Sequence, residues 1–175
     1  VNSFCAPPTA WRAFVGLDLS QYDLSAMKYS ISAGEPLNPE VIDQWKEGTG
    51  TEIRDFYGQT ESTAMIGNPP WMEGRMRFGS FGYPSYMYDV ILADDEGNEI
   101  TQPDETGHIV VRLSNWRAIG LFQEYIDDPG KTAGAFKHGL YFTGDKASFD
   151  KDGYWWFVGR ADDVIKSSDY RVGPF

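Results

Sequence analysis

Cysteine occurs once in the 175 residues, at Cys5, and histidine only at His108 and His138. A single thiol cannot close a disulfide within the chain or build a Cys-based zinc cluster, and it fits a reducing, cytoplasmic compartment. Two histidines far apart in the chain, without companion ligands, make a poor metal site. No apolar run approaches the roughly 20 residues of a membrane-spanning helix, and no charged leader followed by an apolar stretch opens the chain. Runs of Lys and Arg are missing too. With 15 basic against 26 acidic side chains and a formal charge of −11, the chain carries no footprint for nucleic acid or anionic lipid. Repeats and low-complexity tracts are absent. What is present is apolar: 41% hydrophobic and 15% aromatic residues can bury a substantial core, which removes the disordered class. The length suits one domain, or a domain plus a small appendage. The chain opens on apolar sequence without a Met and stops just after Gly173-Pro174, so both ends read as cut from something longer.

Period and punctuation predict strands and helices in alternation through the first half. Ser3 to Ala6 is a short apolar run, and Pro7-Pro8-Thr9 begins a helical face of Trp11, Phe14 and Val15. Met27 to Ala33 alternates as a strand and ends in Gly34-Glu35-Pro36, a turn. Asn38-Pro39 caps a second helix with Val41, Ile42 and Trp45 on its apolar stripe, and Glu52 to Tyr57 is a third strand. This is the grammar of a parallel sheet covered by helices, an α/β fold. From about Gly79 the grammar changes to short strands separated by Gly, Asp and Asn turns: Tyr88 to Ala93, Gly107 to Leu113, Leu140 to Thr143 and Tyr154 to Val158. That half is predicted to be antiparallel, a small barrel-like or sandwich subdomain.

Ligands of open parallel sheets bind beyond the carboxyl ends of the strands. Two segments hold such positions, Ser32-Ala33-Gly34-Glu35-Pro36-Leu37 and Asp55-Phe56-Tyr57-Gly58-Gln59-Thr60-Glu61. The first offers bare backbone to a planar ring. The second gathers an aromatic, a glycine, a hydroxyl and a carboxylate, suited to a base, a phosphate and magnesium; on spacing alone it is equally a strand end followed by an N-cap Thr. Tyr141-Phe142-Thr143-Gly144-Asp145 places a carboxylate after an apolar strand, either a diol acceptor or a turn Asp. Gly159-Arg160-Ala161-Asp162-Asp163, with Lys166 and Arg171 beyond it, is either a ligand loop or a surface loop with local ion pairs.

Taken in order, these segments, together with Phe4-Cys5-Ala6-Pro7-Pro8-Thr9, Ile119-Gly120-Leu121-Phe122 and Gly159 to Phe175, resemble the adenylate-forming superfamily, and within it the medium-chain acyl-coenzyme A synthetases and their acetyl-synthetase-like relatives. The resemblance implies a ligase that forms an acyl adenylate from a carboxylic acid and ATP with magnesium, then passes the acyl group to coenzyme A. It also implies roles. Gly34, Glu35 and Pro36 would lie along one face of adenine and Tyr57 on the other, with Asp55 and Phe56 at its edge and Gly58 and Gln59 completing the nucleotide-binding set. Thr60 would hold the α-phosphate and Glu61 the magnesium; Asp145 would take both ribose hydroxyls, with Arg160 and Phe157 beside the ribose. Arg171 would reach the phosphate or coenzyme A, and Asp162 matches the hinge of a small C-terminal domain.

The resemblance divides the chain into residues 1–78, the α/β part of the large nucleotide-binding domain, 79–160, the antiparallel β subdomain, and 161–175, the hinge and the start of the small domain. Acetate-specific relatives carry Trp at the position of Gly58, so Gly58 and Ala33 would wall a pocket for an acid larger than acetate: medium-chain, branched or aromatic. Asp169 stands where the family usually has Gly, on the coenzyme A route. The family's phosphate loop and its adenylation lysine have no counterpart here, so the segment is expected to be inactive by itself. The rival expectation is a non-catalytic, acidic, β-rich module binding a sugar or a protein. It separates from the ligase by geometry: Glu35, Tyr57, Asp145 and Arg160 must meet in one cleft for the ligase to stand.

Overall fold

The computed structural model describes residues 1–72, 75–162, 165–167 and 170–172. Proline and asparagine set where its helices begin. Pro8 and Pro39 occupy first helical turns, where a missing N–H costs nothing, and Asn38 Oδ1 accepts from the Glu40 N–H at 2.9 Å. Helix α1 is Pro8–Val15 and α2 is Pro39–Thr49. Strands β1 (Ser3–Ala6), β2 (Tyr29–Ala33) and β3 (Ile53–Gly58) pair in parallel, as their alternation with helices predicts. Trp11, Val41, Ile42, Trp45 and Ile53 form one buried cluster between helices and sheet. Both indoles keep a partner for their N–H, Trp11 with the Ala6 carbonyl at 2.9 Å and Trp45 with Ser30 Oγ at 3.0 Å, so the large rings bury area without an orphaned donor.

The parallel pattern stops at β3. Strands β4 (Ala64–Gly67) and β5 (Tyr83–Pro84) join antiparallel, giving a mixed sheet in the order β1-β2-β3-β4-β5. The link from Gly58 to Ala64 is far shorter than the dozen or so residues of a parallel crossover, so the chain has to turn straight back. Thr60 consequently sits in a tight turn, with the Ser62 N–H on the Gln59 carbonyl at 3.0 Å, and not at the start of a helix.

The second sheet is antiparallel, as expected. Its strands are β6 (Val90–Ala93), β7 (Glu99–Ile100), β8 (Gly107–Arg112), β9 (Phe136–Lys137), β10 (Leu140–Phe149) and β11 (Trp155–Arg160), ordered β11-β10-β8-β6-β7 with β9 on β10. A short helix α3 (Pro129–Ala135) precedes β9, capped by Asp128. Strands β12 (Ile165–Ser167) and β13 (Tyr170–Val172) pair with each other. Met65 and Ile66 of β4 share one buried cluster with Val90, Leu92, Ile109, Val111, Tyr141 and Trp155 of the second sheet. The junction is tight: Gly82, at φ 95°, bridges Trp155, and a Cβ there would stand 2.1 Å from the Gly67 carbonyl oxygen.

One expectation changes in a way that matters for the site. The strand predicted over Leu140 to Thr143 does not end in a turn at Gly144-Asp145 but continues to Phe149. Gly144, at φ 81°, makes a bulge at which pairing with β8 breaks between Phe142 and Lys146. Among the described residues no helix is long and apolar enough to cross a membrane.

Candidate functional site

The carboxyl ends of β2 and β3 face the bulge of β10 and the end of β11 across a cleft of about 330 Å³. Gly34, Glu35 and Pro36 line it from the turn after β2, Asp55 to Gln59 from β3, and Asp145, Phe157 and Arg160 from the second sheet. Gly34 adopts φ 103° with open space where a Cβ would stand, so the turn presents bare backbone to the cleft. Gly79 and Phe81 also line it; neither stood out in the sequence, since a Gly and a Phe beside a turn carry no local sign of a ligand. Tyr57, Phe81 and Phe157 make the apolar wall, with ring centroids 5.4 Å apart for Tyr57 and Phe81 and 6.4 Å for Tyr57 and Phe157.

The polar end is built around Asp145, whose side chain is 7% exposed. Its Oδ2 accepts from the Tyr57 hydroxyl at 2.6 Å and from Gln59 Nε2 at 2.7 Å, and its Oδ1 from Arg160 Nη1 at 3.3 Å. Three donors, one of them charged, offset the cost of burying the carboxylate. Burial, reinforced by the Asp145 charge, pushes the Tyr57 phenol up, so the hydroxyl stays protonated and donates. Gly144 keeps this arrangement open, because a Cβ there would come within 3.0 Å of Arg160 Nη2.

Asp55 is buried at the other end, accepting from the Leu37 N–H at 3.4 Å and the Phe56 N–H at 3.1 Å. Burial outweighs those two donors and pushes its carboxyl up to about 7.

Thr60, Glu61 and Ala33 are not among the cleft-lining residues. Ala33 lies in β2 opposite Phe56, and Thr60 is exposed in the β3–β4 turn. Glu61, next in that turn, accepts from the Tyr125 hydroxyl on Oε1 at 2.9 Å, and its backbone carbonyl accepts from the Phe122 N–H at 2.8 Å. Burial and the nearby charges of Glu61 and Asp145 push the Tyr141 phenol up, which ties Glu61 electrostatically to the same polar end. Magnesium is commonly held by one or two carboxylates plus substrate phosphates, so one carboxylate suits an ion that arrives on a nucleotide. Among the described residues no group of three or more His, Cys, Asp or Glu could hold a resident metal.

Gly58 lines the cleft, yet a Cβ there would fall 2.3 Å from the Thr63 carbonyl oxygen. Asp162 pairs with Arg160, Oδ1 to Nε at 3.3 Å. Arg171 belongs to β13, but its side chain, like all of Asp169, lies outside the described residues. Tyr125 and Tyr141 are the polar residues that the sequence reading missed. Tyr141 lies inside a motif already singled out, whereas nothing local marks Tyr125.

Known proteins resemble this chain in both sequence and shape. The AMP-binding enzyme family matches residues 1–125. All 175 residues align at 59% identity with 4-hydroxybutyrate--CoA ligase 1 of Metallosphaera sedula and at 45% with the mitochondrial acyl-coenzyme A synthetase ACSM3 of Rattus norvegicus. The chain spans 30% of the length of each. The crystal structure of the anthranilate CoA ligase AuaEII in complex with anthranoyl-AMP superposes with a TM-score of 0.87 at 35% identity, over 99% of this chain and 32% of that one.

Proposed function

Because the chain belongs to the AMP-binding enzyme family, we propose that its cleft is the adenosine half-site of an acyl-coenzyme A synthetase acting on an acid larger than acetate. The observation that carries this is convergence: Glu35, Tyr57, Asp145 and Arg160, drawn from separate parts of the chain, line one cleft. That meeting favours the ligase over a sugar- or protein-binding module, which would not require it.

Adenine would rest on the backbone of Gly34 to Pro36 against the Tyr57 ring, with Asp55 and Phe56 at its edge, Gly58 and Gln59 completing the set, and Phe157 flanking the ribose. Asp145 would accept the ribose hydroxyls with Arg160 alongside, Thr60 would hold the α-phosphate, and Arg171 would reach the phosphate or coenzyme A. Glu61 would hold magnesium, which when bound neutralises charge on the phosphates. The substrate carboxylate attacks the α-phosphorus and pyrophosphate leaves, giving the acyl adenylate; the coenzyme A thiol then displaces AMP to give the thioester. The side chains here bind and orient the nucleotide, so their contribution is positioning.

The names of the relatives support a larger acid, since 4-hydroxybutyrate and anthranilate both exceed acetate. In this reading the cleft lies between residues 1–78 and 79–160, Asp162 is the hinge into 161–175, and Gly58 with Ala33 walls the acyl pocket. The single cysteine supports a reducing compartment such as the cytoplasm; the named rat relative is mitochondrial, and fractionation separates the two locations. The functional test is an acid panel with ATP, magnesium and coenzyme A on the full-length polypeptide. Thioester formation with a medium-chain, branched or aromatic acid above acetate supports the reading, and thioester from none of them overturns it.

A further inference from the structure

Gln59 leaves the end of β3 and reaches across the cleft to the bulge of β10. Its Nε2 lies 2.7 Å from Asp145 Oδ2 and 3.0 Å from the Thr143 carbonyl oxygen, while its Oε1 accepts from the Tyr141 hydroxyl at 2.9 Å. A peptide carbonyl and a carboxylate only accept. The amide therefore has one workable orientation, nitrogen toward the bulge and oxygen toward Tyr141. Tyr141 is 1% exposed, and its raised phenol keeps the proton that Gln59 needs. Donation thus runs one way, from Tyr141 through Gln59 to Asp145.

From this geometry we propose that Gln59, oriented by Tyr141, is a positioning residue that aims the Asp145 carboxylate at the ribose diol. The proposal rests on the reading of Asp145 as the diol acceptor. An ionised carboxylate offers about four lone-pair sites. Gln59 and the Tyr57 hydroxyl take both sites on Oδ2, whereas Oδ1 has the longer contact to the half-exposed Arg160. Oδ1 is accordingly the oxygen turned to a ligand, and the rotation of the carboxylate decides where it points. Gln59 controls that rotation because it grips both the carboxylate and the backbone of the bulge that carries it. The bulge is itself pinned: the Thr143 hydroxyl donates to the Ile109 carbonyl at 2.9 Å and accepts from the Asp145 N–H at 3.1 Å. Tyr57 also interacts with the Thr143 side chain, but it is Gln59 that holds the Thr143 carbonyl of the bulge, and on the same reading the Tyr57 ring faces the base.

The experiment measures dissociation constants for ATP and for its dideoxy analogue, which lacks both ribose hydroxyls, together with KM for ATP and kcat, on the full-length polypeptide. The proteins are wild type, Gln59→Leu, Tyr141→Phe and Asp145→Ala. Gln59→Leu is expected to weaken ATP about tenfold, the size of one charge-assisted hydrogen bond, and Tyr141→Phe about threefold. The dideoxy analogue should lose less affinity than ATP in each variant, and the change should appear in KM more than in kcat. Equal weakening of both nucleotides in Gln59→Leu and Tyr141→Phe, or wild-type preference for the diol in both, overturns the positioning role. If Gln59→Leu does not fold, Tyr141→Phe decides, because it removes one oxygen and leaves the ring packing. An Asp145→Ala protein that prefers ATP as strongly as wild type defeats the diol reading itself, an outcome separate from the others.

Discussion

The Tyr125 hydroxyl donates to Glu61 Oε1 at 2.9 Å across 64 residues of sequence, so the proposed magnesium carboxylate is held by a segment outside its own turn. Burial and this bond push the Tyr125 phenol up to about 12. Replacing Tyr125 with Phe keeps the ring beside Phe122, 4.8 Å between centroids, and removes only the donor. Partners of metal ligands commonly change metal affinity by about 10–100-fold; because this contact is partly exposed, a rise of about tenfold in the magnesium needed for half-maximal adenylate formation is expected. A magnesium titration checks it, and an unchanged midpoint separates Tyr125 from the ion.

Asp55 should make stability depend on pH. Its folded pKa, about 7, lies above its ordinary value of 3.8, so the folded protein holds the proton more tightly than the unfolded chain. That stabilisation is complete below the unfolded value and is lost as pH rises toward 7, with a slope approaching 1.4 kcal/mol per pH unit from this group. Asp55→Asn keeps an acceptor for the Phe56 N–H and removes the charge. Denaturant midpoints between about pH 4 and pH 7 should flatten relative to wild type, and identical curves would assign the pH dependence elsewhere.

Gly58→Trp is the direct trial of the acyl-pocket wall, and the fold adds a cost to it. The first carbon of the new side chain meets the Thr63 carbonyl oxygen at 2.3 Å, so β4 has to shift. Overpacking of this kind costs about 1–3 kcal/mol, and a lower Tm is expected together with a preference moved toward acetate or propionate. Undiminished use of the larger acid, measured as kcat/KM, removes Gly58 from the pocket.

The 175-residue chain spans 30% of the length of the two named relatives, and the resemblance read from its sequence implies that the family's phosphate loop and adenylation lysine have no counterpart in it. Purified alone, it is expected to give no acid-dependent exchange of pyrophosphate into ATP. Exchange above background would mean that the described cleft suffices for the first half-reaction.

Local chemistry carried much of the fold. Pro8, Asn38-Pro39 and Gly50 mark helix ends through groups within a few residues, and the alternation of β2 or β8 is a property of successive side chains. The turn back after Gly58 escaped because no Gly pair or Asx turn announces it; what decides it is the space β4 fills beside β3. The Gly144 bulge was read as a strand end for the same reason, since its φ of 81° belongs equally to a turn and to an interrupted strand.

The order of the motifs, from Gly34-Glu35-Pro36 through Tyr57 to Asp145 and Arg160, is a linear property, and the linear chain was enough to assign the family and most of the residues that line the cleft, though not Gly79 or Phe81. Where those residues point is not linear. Tyr57 meets Asp145 across 88 residues, Gln59 meets it across 86, and Tyr141 meets Gln59 across 82. Such contacts exist only after two sheets have closed on a shared core, because a hydrogen bond depends on separation and angle, and neither is defined between distant residues until the intervening chain is folded.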